Sequence, residues 1–515
     1  MQKIERWGVL ELSRLGKTDG NPFKDYTIKA SFRSDREEKS ITGFYDGDGV
    51  YKIRFMPSYE GVYTYHISGN FAHSIEEPTG SFEVGPADSE NHGPVVVEGT
   101  HLRYTDGTAY HSIGTTCYAW VFQPLNLQER TLETLRGSAF NKIRFCLFPK
   151  FYDYNKKEPL AMPFERGNGE GLDSELVKTN EKDRMLFPGQ KIEPYDFGFD
   201  YTRPNVELFR LFDKRIAQLR EMGIEADLIL MHPYDKWGMN QMGREACEQY
   251  LNYVVSRYGA YRNVWWSLAN EYDFVLAKKP EDWEHYGELI FSIDPYGHML
   301  SVHNGLKTYD FSRPWITHCS LQRTDFYLTT ESSDRYLEQY HKPVVWDEIC
   351  YEGNLEMGWG NITAQEMVRR FWEGAMRGAY CGHGETYLDE VIWWSHGGTL
   401  KGESPERLKF LSQILGEVPG IGLNKGEGAF DEVVGYAGGH SGEGMETCYD
   451  YSIHYLGVCQ PAKRRVILPE DTKYQVDLID TWNMTVTPLG EMSGFNIIQM
   501  PGRQYMAIRI CKAGE

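Results

Sequence analysis

Short apolar segments alternate with amphipathic segments over residues 96–420, and this alternation constrains the fold more than any other feature of the chain. The apolar segments have the length of buried strands, and the segments between them have a helical period. Such alternation is typical of parallel strands joined by crossover helices. Eight apolar segments can be counted: 111–120, 141–150, 224–234, 263–272, 298–304, 315–322, 344–353 and 379–387. They predict a (β/α)8 TIM barrel of the α/β class.

Three of the segments between the predicted strands carry helix-boundary signals. The first, NVELFRLFDKRIAQLREMG, ends at Gly223, and glycine commonly terminates helices. The second begins with Thr363 and Glu366 at capping-box spacing, and the third with Ser404 as N-cap before Pro405. The apolar face predicted for the first helix consists of Leu208, Leu211, Phe212, Ile216 and Leu219. These signals support helices between the strands.

Both flanks of the barrel region consist of short β-rich segments separated by turn residues. We therefore expect two small all-β sandwich domains, at residues 1–88 and 425–515, around a barrel at 95–420. The first is expected to be immunoglobulin-like. A polar insertion at 151–203 follows the second strand, where it either walls a pocket, forms an oligomer contact or merely elaborates the surface.

Composition excludes some classes of partner. A net charge of −20 over 515 residues argues against nucleic acid and anionic membranes, which both favour basic surfaces. No apolar run is long enough to span a membrane, and the first residues do not have the pattern of a secretion signal. The nine cysteines are scattered, several of them within strand-like segments. We expect reduced, buried thiols and a cytoplasmic location.

Polar residues cluster where the predicted strands end, which is where barrel enzymes gather functional side chains. Glu271 follows the apolar run WWSLAN, and Glu348 follows PVVW and one aspartate. A carboxylate after a buried strand must be paired, solvated by a site or neutral. Each glutamate alone could be a structural ion-pair partner. Two carboxylates from different strands, however, are the minimal equipment for splitting a glycosidic bond.

The ending LANEY of the fourth strand resembles the Asn-Glu signature of clan A retaining glycoside hydrolases. The resemblance implies that Glu271 is the acid/base, that Asn270 contacts the sugar 2-hydroxyl and that Glu348 is the nucleophile. The segment PVVWDEICYEGN, followed by GHGETY and IWW, is similar to the apiosidase-like group of barrel hydrolases. Its members often carry an N-terminal immunoglobulin-like domain and a C-terminal β-sandwich, so the resemblance covers essentially the whole chain. Some members of the group have Asp as the acid/base, whereas this chain has Glu271. We therefore infer the chemistry from the resemblance but not the substrate.

Further residues are candidates for substrate binding. Arg144 and Tyr351 are placed to stabilise Glu348, and Trp394 is the first candidate for a sugar-stacking platform, ahead of Trp120 and Trp237. Four histidines at strand ends suggest either a metal site or hydrogen bonds to sugar hydroxyls: His232, His303, His318 and His383. Since the chain has neither His-x-His nor HExxH, we expect sugar contacts, with no metal and no other cofactor.

Two further acidic residues, Asp347 and Glu352, lie close to Glu348 in the sequence. Strand alternation predicts that Asp347 points away from Glu348, into the helix layer. Glu352 lies just beyond Glu348, at which the seventh strand is expected to end, and is a weaker candidate for the second carboxylate.

The sequence thus predicts an O-glycosidase that acts on a small oligosaccharide or glycoside, with retention of configuration and exo action. A non-catalytic carbohydrate-binding protein and a barrel lyase or isomerase remain alternatives. The sugar, the anomer and any homo-oligomer are left open, and the choice between retention and inversion depends on the separation of the carboxyl groups.

Overall fold

The computed structural model describes residues 2–71, 76–179, 195–324, 330–428, 432–442 and 447–513. The chain divides into two compact units. The first consists of Met1–Val96, Tyr118–Glu129 and Ile143–Thr317, and the second of Val97–Cys117, Arg130–Lys142 and His318–Glu515. The middle of the predicted insertion, residues 180–194, lies outside the described residues.

The N-terminal region is all β. Its strands are β1 (Gln2–Glu5), β2 (Leu10–Leu15), β3 (Ile28–Arg33), β4 (Glu38–Thr42), β5 (Phe44–Tyr45), β6 (Val50–Phe55), β7 (Gly61–Gly69) and β8 (Thr79–Gly85). They form a five-stranded sheet, in the order β1-β8-β7-β3-β4, and a three-stranded sheet, β2-β6-β5. Strand β3 alternates buried and exposed residues, so that Ile28, Ala30 and Phe32 enter a core shared by both sheets.

The central region alternates strands and helices. Its strands are β9 (Val95–Glu98), β10 (His101–Tyr104), β11 (Ile113–Thr116), β12 (Lys142–Cys146), β13 (Phe164–Arg166), β14 (Phe199–Pro204), β15 (Glu225–Ile229), β16 (Val264–Ser267), β17 (Leu300–Ser301), β18 (Cys319–Gln322), β19 (Val344–Glu348), β20 (Glu352–Gly353), β21 (Tyr380–His383) and β22 (Glu385–Thr386). Its helices are α1 (Leu125–Gly137), α2 (Ser174–Thr179), α3 (Val206–Glu221), α4 (Arg244–Tyr258), α5 (Pro280–Ile293), α6 (Ser333–Tyr340), α7 (Ala364–Met376), α8 (Trp393–His396) and α9 (Ser404–Gly416).

Eight of these strands form a parallel, near-closed barrel. Their order in the sheet is β17-β16-β15-β12-β11-β21-β19-β18, and each of the eight predicted apolar segments contains one of them. Along the chain they are the first to eighth barrel strands, so that β16 is the fourth and β19 the seventh. The predicted (β/α)8 fold is confirmed.

The helix-boundary signals are largely confirmed. Helix α3 ends just before Gly223, which has a φ of 67°, and the Thr363 side chain accepts the Glu366 N–H at the start of α7. The prediction for Ser404 as N-cap is wrong by one residue, because Glu403 is the N-cap of α9. The Ser404 hydroxyl donates instead to the carboxylate of Glu352.

The C-terminal region is again all β. Its strands are β23 (Asn424–Gly426), β24 (Val433–Ser441), β25 (Cys448–Tyr455), β26 (Lys463–Ile467), β27 (Tyr474–Asp480), β28 (Thr485–Met492), β29 (Phe495–Gln499) and β30 (Met506–Lys512). Six form a sheet in the order β23-β24-β25-β30-β27-β28, and β26 pairs with β29. Side chains from both, including Val466, Val476 and Ile498, share one core. All-β regions therefore precede and follow the barrel along the chain, as predicted.

None of the nine cysteines, all of which lie within the described residues, forms a disulfide. Six are buried: the five in strand-like segments, as expected, and Cys247; those five are Cys117, Cys146, Cys319, Cys350 and Cys381. Within the described residues, no helix has both the length and the apolar character that crossing a membrane requires.

Candidate active site

Glu271 lies in the first unit, beyond the carboxyl end of β16. The backbone N–H of Asn270 donates to the Met231 carbonyl oxygen over 2.9 Å, which extends the pairing of β15 and β16 past their last strand residues. Glu271 itself has φ 47° and ψ 53°, in the left-handed region. Such a conformation costs a residue with a side chain about 1–3 kcal/mol and is concentrated at functional sites. The chain therefore turns sharply at this carboxylate.

Two donors converge on one oxygen of the Glu271 carboxylate. The Tyr234 hydroxyl lies 2.6 Å from Glu271 Oε2, and the Asn270 amide Nδ2 lies 3.0 Å from the same oxygen. The side chain is buried, with 8% of its surface exposed. Since an sp2 carboxylate oxygen has two lone-pair directions, these two donors fill the acceptor positions of Oε2.

The orientation of Asn270 is fixed from behind by Arg144. Arg144 Nη1 donates to Asn270 Oδ1 over 2.8 Å, and the Tyr118 hydroxyl donates to the same oxygen over 3.3 Å. Because Oδ1 accepts these bonds, Nδ2 is the atom that faces Glu271. The guanidinium also donates to Ser267 Oγ over 3.1 Å and lies 3.6 Å from Asp227 Oδ2. Arg144 was predicted to stabilise Glu348; the structure places it in this Asn270 network.

His232 anchors Tyr234 rather than standing alone at a strand end. The histidine Nε2 lies 3.1 Å from the Phe148 carbonyl oxygen, and Nδ1 accepts the Tyr234 backbone N–H over 3.2 Å. These partners define the neutral tautomer with its proton on Nε2. Burial, together with the nearby charge of Lys150, lowers the pKa of His232 to about 3. Both ring nitrogens are thus engaged by backbone groups.

Glu348 lies in the second unit and is the last residue of β19. It is 9% exposed, and its carbonyl oxygen accepts the Arg323 N–H over 2.8 Å. The pairing of β18 with β19 skips one residue, since Leu321 faces Trp346 whereas Gln322 faces Glu348. Asp347 is therefore the extra residue of a β-bulge, and bulges re-aim side chains near strand ends.

The bulge makes the prediction for Asp347 wrong. Its carboxylate binds Lys142 Nζ of β12 at 2.7 Å and the Ser320 hydroxyl of β18, not the helix layer. Strands β11 and β21 separate β12 from β19 in the sheet. A contact that reaches over two intervening strands lies on the concave face of a barrel. Simple alternation failed here because the bulge interrupts the two-residue period.

Three aromatic side chains group after β19 and β21. The ring centroids of Trp359 and Trp394 are 5.1 Å apart, and that of Tyr351 lies 5.7 Å from Trp394 and 6.2 Å from Trp359. Tyr351 and Trp394 are buried, and Trp359 is half-buried. A Cβ built on Gly384 would lie 2.4 Å from the Tyr351 ring, so glycine is needed for this packing. The group is therefore a packed aromatic cluster in which Trp359 is the most exposed ring.

A second acidic group lies beside these aromatics. Glu352 and Glu385 are register partners of the parallel pair β20–β22, and His383 Nε2 lies 3.8 Å from Glu385 Oε1. Among the described residues, these three side chains have ligand atoms within 4.8 Å of one another and could be considered for a metal ion. His383 Nδ1 contacts Thr115 Oγ1 at 3.2 Å, and its ring stacks on Phe140. Burial lowers the pKa of His383 to about 3.

The hydrogen bonds of Glu352 indicate a structural role for this carboxylate. Glu352 Oε1 accepts from the Tyr387 hydroxyl and the Glu403 N–H, and Oε2 accepts from the N–H and hydroxyl of Ser404. Four donors fill the acceptor positions of Glu352, which therefore caps α9 and has no lone pair left for a metal. Burial, followed by the charge of Glu352, raises the pKa of Glu385 to about 7.

The remaining predicted residues have diverse placements. His303 is buried beyond β17, where its carbonyl oxygen accepts the Tyr272 N–H. His318 precedes β18 and is four residues before Gln322, the register partner of Glu348, or about 13 Å along a strand. Trp120 is fully buried, donates its indole N–H to the Gln128 carbonyl oxygen and packs edge-on against Phe145. Trp237 is also buried.

Sequence reasoning missed three residues of these surroundings. Tyr234 and Lys150 are the last residues of two predicted strand segments and were not singled out, and Trp359 was not considered. Lys150 is 2% exposed and faces the Tyr234 ring. The one available signal was the spacing of Tyr234, two residues after the strand-end His232.

A parallel barrel with an Asn-Glu pair after its fourth strand and a glutamate ending its seventh has the architecture of glycoside hydrolase barrels. The model of the apiosidase-like catalytic domain matches residues 98–408, and two domains of unknown function, DUF5060 and DUF5605, match residues 3–70 and 441–511. The chain belongs to the apiosidase-like family. No functionally curated protein matches it.

Solved structures agree with this assignment. A protein from Bacteroides vulgatus ATCC 8482, named as a candidate glycoside hydrolase, is 35% identical, with 100% of both chains covered and a TM-score of 0.88. Another structure, named as a glycoside hydrolase, is 15% identical, covers 82% of this chain and 98% of its own, and has a TM-score of 0.57. The second likeness concerns the fold alone.

Proposed function

We propose that the chain is an O-glycosidase that hydrolyses short oligosaccharides or glycosides with retention of configuration. Glu271 is the acid/base and Glu348 the nucleophile. The observation that carries the proposal is the Asn270–Glu271 pair, whose carboxylate oxygen Oε2 is bound by Tyr234 and by an amide oriented by Arg144. Membership of the apiosidase-like family and the position of Glu348 at the end of β19 support it.

The reaction takes two steps. Glu271 first donates a proton to the glycosidic oxygen while a Glu348 oxygen attacks the anomeric carbon, so that the aglycone leaves and a covalent glycosyl-enzyme forms. Glu271, now ionised, then removes a proton from water, and the resulting nucleophile displaces Glu348 from the anomeric carbon. In this proposal Asn270, beside Glu271, donates to a sugar hydroxyl, and Trp394 with Trp359 forms the stacking surface.

We place further candidates around the same sugar. Arg144 acts through Asn270 and His232 through Tyr234, because their polar atoms are already bound there. We retain His303, His318, His383, Tyr351 and Trp120 as predicted substrate-binding residues that single alanine variants will test. A cytoplasmic location is proposed because none of the nine cysteines forms a disulfide, and exo action is proposed from the insertion at 151–203.

The first experiment is a panel of 4-nitrophenyl glycosides covering common sugars in both anomeric forms. We expect wild type to release nitrophenol from one of them and Glu271→Ala to lose most kcat, with azide restoring turnover as a glycosyl azide. Glu288→Gln, an exposed glutamate of α5, is the matched control and should retain full activity. If Glu271→Ala keeps wild-type activity, the acid/base assignment is wrong.

The second experiment tests the nucleophile and the stereochemistry. Glu348→Ala should lose activity by about 10³-fold or more, whereas the exposed Glu338→Gln should not. Proton NMR of the first-formed sugar reports its anomer directly. Retention supports the covalent route, and inversion would assign Glu348 as a base instead. A product that absorbs in the ultraviolet through a new double bond would indicate a lyase, and binding without turnover a carbohydrate-binding protein.

A further inference from the structure

Lys150 lies in a cage of three tyrosine rings beside the acid/base. Its Nζ is 3.4 Å from the ring centroid of Tyr118, 4.2 Å from that of Tyr234 and 4.9 Å from that of Tyr152. The side chain is 2% exposed, and Tyr118 and Tyr152 are buried around it. An ammonium over a ring face is attracted by the ring quadrupole, and more strongly where water is excluded.

One ring of this cage also contacts the acid/base. The Tyr234 hydroxyl donates to Glu271 Oε2 over 2.6 Å, while the Lys150 ammonium lies over the face of the same ring. A cation at the ring face draws electron density from the phenol and makes its O–H a stronger donor. A stronger donor stabilises the ionised carboxylate more than the neutral acid. The cage therefore connects Lys150 to the charge state of Glu271.

The backbone holds this arrangement from both sides. The Tyr234 N–H donates to His232 Nδ1 and its carbonyl oxygen accepts the N–H of Phe151, the residue after Lys150, over 2.8 Å. The Lys150 carbonyl oxygen accepts Asn155 Nδ2 over 2.6 Å. These bonds fix the backbone of Lys150 and Tyr234 close to each other. The ring itself is held by its hydroxyl, so turning it away from the ammonium would break the hydrogen bond to Glu271 Oε2.

We propose that Lys150 is a positioning residue of the acid/base site, acting through Tyr234 on Glu271. It orients the phenol and favours the carboxylate that Glu271 becomes once it has given its proton to the leaving group. The proposal rests on the assignment of Glu271 as the acid/base. Other charged or titratable groups adjoin the assembly: Arg144, Asp227, Tyr118, Tyr152, His232, Asp273 and His303.

The test compares Lys150→Met with Lys150→Arg, which keeps the charge, and with Tyr234→Phe. Removing the cation should move the alkaline limb of the kcat/KM profile to higher pH by about one unit, because Glu271 then holds its proton more tightly. The loss of kcat/KM should be about tenfold larger for a methyl glycoside than for the 4-nitrophenyl glycoside of the same sugar, because only the former needs a strong acid. Lys150→Arg should stay close to wild type.

A double variant separates this route from a general loss of packing. If Lys150 acts through Tyr234, Lys150→Met should change the profile of Tyr234→Phe little. Equal losses for both glycosides, with an unmoved pH profile, would overturn the proposal and leave Lys150 as a core residue. If Lys150→Met does not fold, Lys150→Gln takes its place in every comparison.

A measurement without substrate keeps this proposal apart from the proposed function. In protein labelled with 13C at the glutamate carboxyl groups, the resonance missing in Glu271→Gln reports the titration of Glu271. It should move to higher pH in Lys150→Met. If Glu271→Gln retains activity, the acid/base assignment fails whatever this titration shows. If Glu271 is essential but its titration is unchanged by Lys150→Met, the role of Lys150 alone is refuted.

Discussion

Arg144 Nη1 donates a 2.8 Å hydrogen bond to Asn270 Oδ1, which fixes the amide that contacts Glu271. Arg144 also reaches Ser267, and it does so from a position that is 1% exposed. One guanidinium thus sets the geometry of the strand-end pair through several donors at once. A lysine ammonium cannot match this planar set of donors.

We therefore expect Arg144→Lys to lower kcat/KM on the panel substrate by about tenfold or more, through misplacement of Asn270. The exposed Arg465→Lys is the control, and steady-state kinetics of both variants are the measurement. Unchanged kinetics of Arg144→Lys would show that the amide keeps its orientation without the guanidinium.

Glu385 should make stability depend on pH. Burial raises the pKa of Glu385 to about 7, above its unfolded value, so the folded state holds a proton that the unfolded state has lost. The contribution of Glu385 to the free energy of unfolding is therefore fully present at low pH. It is lost as the pH rises through about 7, by about 3 kcal/mol in total. The Tm of Glu385→Gln relative to wild type should rise between pH 5 and pH 8, as measured by calorimetry. The exposed Glu338→Gln should show no such trend, and a flat difference for Glu385→Gln would contradict the prediction.

The buried pair Lys142–Asp347 makes a prediction about the barrel interior. Both side chains are 2% exposed. Lys142→Met removes the cation and leaves a buried carboxylate, at a cost of about 3–5 kcal/mol. The double variant Lys142→Met/Asp347→Leu should recover at least half of that loss, since an apolar pair has no charge to desolvate. Thermal unfolding monitors both. A double variant less stable than Lys142→Met would show that the buried charge of Asp347 does not cause the loss of stability.

Gly384 lies against the aromatic group after β21. Gly384→Ala places a methyl 2.4 Å from the Tyr351 ring and should destabilise the fold by about 1–3 kcal/mol. It should also raise KM if the aromatic group binds sugar. Gly416→Ala, at the end of α9 where a Cβ meets nothing within 4 Å, is the matched control and should be neutral or slightly stabilising. Equal Tm values for the two variants would mean that Tyr351 moves aside freely.

The fold was predictable because it depends on patterns that the chain repeats. Eight apolar strand segments, joined by helices with one apolar face each, predict a parallel barrel. This prediction does not depend on which apolar side chains fill the core. The face of α3 was nearly correct: Leu211 is only partly buried, whereas Phe209 and Arg215 are buried. Which residues at the edge of the apolar face are buried depends on the elements that pack against the helix. The helical period of the sequence alone does not predict it.

The site was predictable only in part. Glu271 and Glu348 follow buried strands, and that is visible in a sequence. The bulge at Asp347 is not, because one extra residue in a strand leaves no compositional mark. The cage around Lys150 was equally hidden. Its tyrosines come from separate segments, and a lysine in a sequence looks solvated until its neighbours are known.

The left-handed backbone of Glu271 has a consequence for how this protein can be changed. Glycine adopts that conformation without a Cβ clash, so Glu271→Gly should relieve backbone strain. Under the proposed function the same change removes the acid/base, so selection for thermal stability alone would favour a variant that selection for turnover rejects. Directed evolution of this protein toward heat tolerance should therefore screen for glycoside hydrolysis in every round.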